Sequence, residues 1–164
     1  MSKKNIKVIE GSGFLAKKFK KYSSSLQKNN VVVYVAGVSN SLEKNPTKFN
    51  REFKRFTKFY KTNNKKLVYI STYSVLDGCR SKNRYVKNKI KIERLIKRQI
   101  KSFIIIRLPE IVGLNKNPYT LTNFFFNKIK NNESFHVWSN AKRNLLDVED
   151  AIDACVKIIR KSKY

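Results

Sequence analysis

Tyr85-Val86-Lys87-Asn88-Lys89 sets a phenol and an ammonium four residues apart. On a helix that spacing puts both on one face. A nearby ammonium favours the phenolate and brings the tyrosine into a useful acid/base range. In a lysine-rich chain the same pair also arises as a plain surface turn. Ser71-Thr72 closes a β-branched run. In a parallel sheet, ligands bind outside the carboxyl ends of the strands, where a hydroxyl can hydrogen-bond a substrate oxygen. Such a residue equally suits a cap. Gly11-Ser12-Gly13 lies between an apolar run and a helix-like segment. Glycines let the backbone approach a pyrophosphate, and the helix start offers free N–H groups and a favourable dipole.

These groups work together only if the elements carrying them converge. Residues 6–10 (IKVIE), 31–36 (VVVYVA), 67–71 (LVYIS) and 103–107 (FIIIR) read as strands. Continuous apolar runs of this kind suit a parallel sheet buried on both faces. Helices are predicted over 14–22, 46–60, 85–99, 120–131 and 148–160, and a short strand over 135–138 (FHVW). Alternation of strands with helices argues α/β with a mainly parallel sheet. His136 reads as an ordinary strand residue. Phe124, Phe125 and Phe126 read as core plus one lining ring. Asp147, Glu149 and Asp150 suit the first turn of the last helix through its dipole, not a metal. Cys155 reads as core and Cys79 as a loop thiol.

The 164 residues include 37 Lys plus Arg against 11 Asp plus Glu, a formal charge of +26. That charge attracts polyanions: nucleic acid, anionic membrane or phosphate-bearing small molecules. The cations recur along the whole chain, however, so charge alone does not choose a partner. With 41% hydrophobic residues in clustered runs, a core is expected rather than disorder. No apolar run approaches the roughly 20 residues of a membrane span. No secretory signal is read, so the expected location is cytoplasmic. Two cysteines supply neither a disulfide framework nor a zinc spacing, and no metal site is expected.

Taken in order, the motifs resemble the extended short-chain dehydrogenase/reductase family of NAD-dependent sugar-nucleotide epimerases, dehydratases and ketoreductases. IKVIEGSGFLAKKF looks like its first strand and glycine turn. VVVYVAGVSNS looks like the central strand with its turn over the cofactor, and LVYISTYSVLDG like the Ser/Thr strand. YVKNKIKIERLI looks like the Tyr-x-x-x-Lys helix, FIIIRLPEIVG like the next strand and loop, and RNLLDVEDAIDA like the late Arg-containing motif. The resemblance implies Tyr85 as acid/base and Lys89 as the group that holds the nicotinamide ribose and lowers the Tyr85 pKa. It implies Thr72 as a hydrogen-bond donor to the reacting oxygen. Gly11, Gly13, Phe14 and Leu15 would line the pyrophosphate turn, and Ala36 and Gly37 would pack over the adenosine side. Asn50 would stand near the cofactor-side core, Pro109 would shape the nicotinamide loop, and Arg143 would meet the diphosphate of a nucleotide-sugar. NAD or NADP is the implied cofactor, and an oxidoreductase or epimerase serving cell-surface polysaccharide synthesis the implied activity.

The pattern departs from the family in two places. In G-x-x-G-x-x-G the first position is Glu10 and the third Ala16, and Glu10 is expected to crowd the turn and set a negative charge beside a diphosphate. Only residues 23–30 separate the first helix from VVVYVA, too few for a βα unit. The expected fold is therefore a reduced Rossmann-like three-layer α/β domain over 1–164, missing two strands of the usual cofactor-binding half. Residues 110–147 would be a small substrate-lobe remnant. The first strand would lie near an edge, which invites a homodimer or a tight cover. The alternative function is a catalytically degenerate module on the same fold that binds nucleotide, RNA or a protein partner.

Overall fold

The run Val31–Tyr34, buried at every position, is an inner strand of a parallel sheet in the computed structural model of the chain, which describes residues 7–80, 83–115 and 117–162. The sheet has four strands: β1 (Ile9–Glu10), β2 (Val31–Tyr34), β3 (Lys66–Thr72) and β4 (Phe103–Leu108). They neighbour one another in chain order, all parallel. Ile9 lies opposite Val33, Val33 opposite Val68, and Val68 opposite Ile104.

Successive strand residues point to opposite faces, and each face has its own core. On one side Val31, Val33, Val68, Ile70 and Ile106 pack with α1 (Phe14–Phe19), α2 (Ser23–Lys28) and α6 (Val148–Lys161). On the other, Val32, Tyr34, Leu67 and Tyr69 pack with α3 (Pro46–Lys61) and α4 (Arg84–Gln99). Three layers result, as the alternation predicts. The helix starts are chemically marked. Thr47 N–H donates to the Asn45 side chain at 2.9 Å, with Pro46 in the first turn. Tyr85 N–H donates to Asn83 at 2.8 Å, and Glu149 N–H to Asp147 at 2.7 Å. Glu149 and Asp150 then occupy the first turn of α6.

A separate parallel pair, β5 (Glu110–Val112) and β6 (Leu145–Asp147), flanks α5 (Leu121–Lys130). Here the structure corrects the sequence reading. Residues 135–138 form no strand, and Val137 and Trp138 are exposed. Alternation makes a strand only where a neighbour supplies hydrogen bonds, and none pairs with this segment. Phe124, Phe125 and Phe126 are not core, for α5 buries no residue. Phe124 and Phe125 instead cluster with Phe135, at centroid separations of 6.1 and 5.4 Å. The first helix ends at Phe19 and tightens into a 3-10 turn before α2. Among the described residues β1 pairs only with β2, so it is an edge strand, as expected. Ile6, placed in that strand from sequence, lies outside the described residues. No helix among them is long and apolar enough to cross a membrane.

Candidate functional site

All four strands of the main sheet run the same way, so their carboxyl ends line one crest. There the chain turns through Gly11–Gly13, Ala36–Gly37, Thr72 and Pro109. Gly11 has φ 151°, and a Cβ there would lie 2.9 Å from Val35 Cγ2, so the turn admits only glycine. Gly13 precedes α1 as its N-cap, with open space where a Cβ would stand. Glu10 does not crowd this turn. Ile9 faces the α1–α6 core, and Glu10 points the other way, buried, with its carboxylate paired to Arg55 of α3 and to Lys7. Its negative charge is thus compensated on the α3 side.

Along α4 the inward stripe carries Tyr85, Asn88, Lys89 and Glu93. Lys89 and Glu52 of α3 form a buried ion pair, Nζ to Oε1 at 3.1 Å. Glu52 also accepts from Asn88 Nδ2 and from Val38 N–H, each at 3.0 Å. The Tyr69 and Tyr85 rings stand 5.3 and 5.7 Å from Lys89 Nζ. Burial works against the Lys89 charge, but Tyr69, Tyr85 and Glu52 outweigh it and hold the ammonium above its ordinary range. Lys89 therefore lies against Tyr85, as the spacing implies, while its hydrogen bond goes to Glu52. A Cβ on Gly37 would fall 2.5 Å from Lys89 Nζ and 2.9 Å from Glu52 Oε1. Glycine there lets the loop backbone lie directly over the ion pair.

Thr72 Oγ1 accepts from Ser74 N–H at 3.2 Å and starts a 3-10 turn, the capping role foreseen as its alternative. Its own hydrogen remains available to a ligand. Ser71 donates to Glu93 at 2.6 Å, and Arg107 of β4 holds both oxygens of that carboxylate, at 3.1 and 2.6 Å. Burial alone would raise the Glu93 pKa, but the bonds from Arg107 and Ser71 win and lower it. Glu52, Glu93 and Arg107 were not singled out from sequence. A signal existed: each of α3 and α4 contains a single acidic residue, in helices otherwise rich in Lys and Arg.

The other expected residues divide. Phe14 and Leu15 are half-buried at the start of α1. A Cβ on Gly113, where φ is 145°, would meet Val148 Cγ1 at 2.8 Å and Phe14 Cζ at 3.0 Å. That close approach joins the glycine turn to a groove of about 570 Å³ lined by Val112, Leu114, Asn123 and Phe126. Ala36 and Pro109 are half-buried at the crest. Asn50 is not on the core side. It stands exposed on α3, and Glu52, two residues on, takes the inward place. Arg143 is exposed on the segment leading into β6. Cys155 is buried, which raises its thiol pKa to about 11, and Cys79 is exposed. Among the described residues no three His, Cys, Asp or Glu side chains gather as a metal site would need.

Comparison with known proteins agrees with this fold. The chain is similar in fold to the UDP-N-acetylglucosamine 4-epimerase from Bacillus cereus, with a TM-score of 0.69 and 20% identity, over 97% of this chain and 75% of that one. It is also similar to the capsular polysaccharide assembling protein CapF from Staphylococcus aureus (TM-score 0.62, 20% identity, 97% of this chain and 51% of that one). A third relative in fold is the UDP-glucuronic acid 4-epimerase from Bacillus cereus, solved with UDP-glucuronic acid and NAD (TM-score 0.65, 18% identity, 85% and 52%). The chain thus spans only about half the length of the latter two. No curated protein sequence matches it. The profile of the NAD dependent epimerase/dehydratase family matches residues 56–164, which include Thr72, Tyr85, Lys89, Pro109 and Arg143. With well over half its length matched, and the parallel crest of that fold in place, the chain belongs to the NAD-dependent epimerase/dehydratase family.

Proposed function

We propose that this chain acts on a nucleotide-sugar as an NAD(P)-dependent epimerase or reductase, with Tyr85 as its acid/base. The observation that carries the reading is the convergence of Tyr85, Lys89 and the Gly37 loop at the carboxyl end of the sheet. A cofactor bound there supplies the hydride chemistry. The chain's own part is placement and proton transfer. Tyr85 exchanges a proton with the sugar oxygen, and Thr72 donates its hydroxyl hydrogen to the same atom. Lys89 keeps a positive charge beside the Tyr85 ring. An ammonium has three N–H donors, so the bond to Glu52 leaves two for ribose hydroxyls. Gly11, Gly13, Phe14 and Leu15 give a diphosphate a close backbone approach, with Ala36, Gly37 and Pro109 as the neighbouring walls. Residues 110–147 form the substrate side, where Arg143 meets the sugar diphosphate through its guanidinium.

The fit is good on the nicotinamide side and poor on the adenosine side. Among the described residues no strand lies beyond β1 to carry a group toward the adenosine ribose. That observation favours a second reading, a module that binds nucleotide without turnover. Calorimetric titration with NAD+, NADP+ and UDP separates the two. The first reading expects saturable dinucleotide binding, turnover of a 4-keto sugar nucleotide, and loss of turnover but not binding in Tyr85→Phe. UDP binding with no dinucleotide binding at millimolar concentration supports the second reading and removes the first.

A further inference from the structure

We propose that the outer face formed by α3 and α4 binds the phosphate backbone of double-stranded nucleic acid. The two helices lie side by side on one layer, tied by Tyr60 OH to Gln99 at 2.6 Å. Arg51, Lys54, Lys58 and Lys61 form the exposed stripe of α3 at helical spacing. Lys87, Lys91, Arg94 and Arg98 form the matching stripe of α4. None of these eight joins an ion pair among the described residues. The one carboxylate of each helix, Glu52 or Glu93, is turned inward and neutralised by Lys89 or Arg107. A general excess of lysine would not choose which way the acids face. The opposite layer shows the contrast: α6 exposes Glu149, Asp150 and Asp153, and Glu149 pairs with Lys18 and Lys21 of the same layer.

The geometry selects the partner. Sixteen-residue helices extend about 24 Å at 1.5 Å per residue, long enough to follow several phosphates of a duplex. A membrane surface is disfavoured because none of the exposed large apolar side chains lies on α3 or α4 to anchor the face in lipid. Single strands are disfavoured because they bind on open aromatic faces. Here Phe53 is half-buried beneath Lys91 Nζ, 4.1 Å from its centroid, and Tyr60 is half-buried against α4. Contacts to phosphate alone carry no sequence information. This surface lies on the side of α4 away from Lys89, so the inference stands apart from the function proposed above.

The test is fluorescence anisotropy with mixed-sequence DNA and RNA duplexes, their single strands, and phosphatidylserine vesicles, over a range of salt. Two quadruple variants remove the same charge: Lys54→Gln, Lys58→Gln, Lys87→Gln and Arg94→Gln on this face, and Lys17→Gln, Lys20→Gln, Lys28→Gln and Lys157→Gln on the other. Circular dichroism confirms that both are folded. Duplex binding should weaken steeply with salt. The first variant should lose roughly tenfold or more in affinity and flatten the log–log salt slope by up to about 3.6, or 0.9 for each of the four lost phosphate contacts. The control should lose under about threefold and keep most of its slope. Equal losses in both variants would overturn the proposal. So would tighter binding to single strands, or binding to vesicles without binding to duplexes.

Discussion

The half of the molecule built from α3, α4, β3 and β4 and the segment from Gly113 to Leu145 solve the problem of position differently. In the first, Glu52, Ser71, Asn88, Lys89 and Glu93 are all buried, and each has a bonded partner. In the second, no described residue is buried, and Leu114, Phe126 and Trp138 face outward. A buried polar group without its partner costs far more than the bond itself returns. The wired half is therefore held in one arrangement by what would be lost in any other. The open segment has no buried polar group of this kind to lose, and part-buried bonds of Asn115 and Asn123 tie its loop together beside the groove. The expected catalytic groups lie in the wired half and the expected substrate side in the open one. Buried and exposed surroundings are thus assigned to different stretches of chain.

The wired half is most vulnerable at Lys89. Removing one member of a buried ion pair leaves the other charge uncompensated and costs about 3–5 kcal/mol. Lys89→Met should lower stability by that amount in urea unfolding. Adding Glu52→Gln should restore much of it, because the amide still accepts from Val38 N–H while the stranded charge disappears. A Lys89→Met protein as stable as the parent would show that water reaches this pair and that the half is not sealed.

Glu93 comes next. Its folded pKa lies below the ordinary carboxylate value through Arg107 and Ser71. A depressed acid stabilises above its unfolded pKa of about 4.3 and loses that contribution as pH falls through the folded value. Stability should therefore drop on the acid side of pH 4. Glu93→Gln should cost about 1.5–3 kcal/mol at neutral pH, the range for hydrogen bonds to a charged group. It should also make the acid limb shallower. Parallel acid limbs in the two proteins would assign the loss to other carboxylates.

Much of the wired half was legible in the chain. β2 and β3 read as strands because a parallel strand buried on both sides must be continuously apolar. The shared face of Tyr85 and Lys89 followed from their spacing. The lone carboxylate of a basic helix marks Glu52 out, but its partner is not legible locally. Its true partner lies 37 residues away on another helix. Asn50 was named only from the family resemblance, and on α3 it is exposed while Glu52 takes the inward place. The fate of Glu10 also turned on a distant residue, Arg55. Errors concentrate in the open segment. There Phe124–Phe126 and FHVW carry the hydrophobicity of core or strand, but Phe124, Phe125 and Phe135 cluster with one another outside the two sheet cores, and pattern alone does not record which surface an apolar residue meets.

The smallest effects should come from that segment. Phe126 is 64% exposed and Trp138 76% exposed, so neither removes much surface from water. Surface changes away from special features fall within about 0.5 kcal/mol. Phe126→Ser and Trp138→Ser should each shift the urea midpoint by no more than that. Phe126 lines the groove and Trp138 does not, so only the first should weaken nucleotide-sugar binding. A loss of about 2 kcal/mol in either variant would mean that the ring is covered in solution. If that loss shrinks on dilution, the cover is another molecule of the same chain, since dissociation of a dimer depends on concentration and folding of a monomer does not. If it is independent of concentration, the cover is internal, and this segment is wired after all by contacts among its own apolar residues.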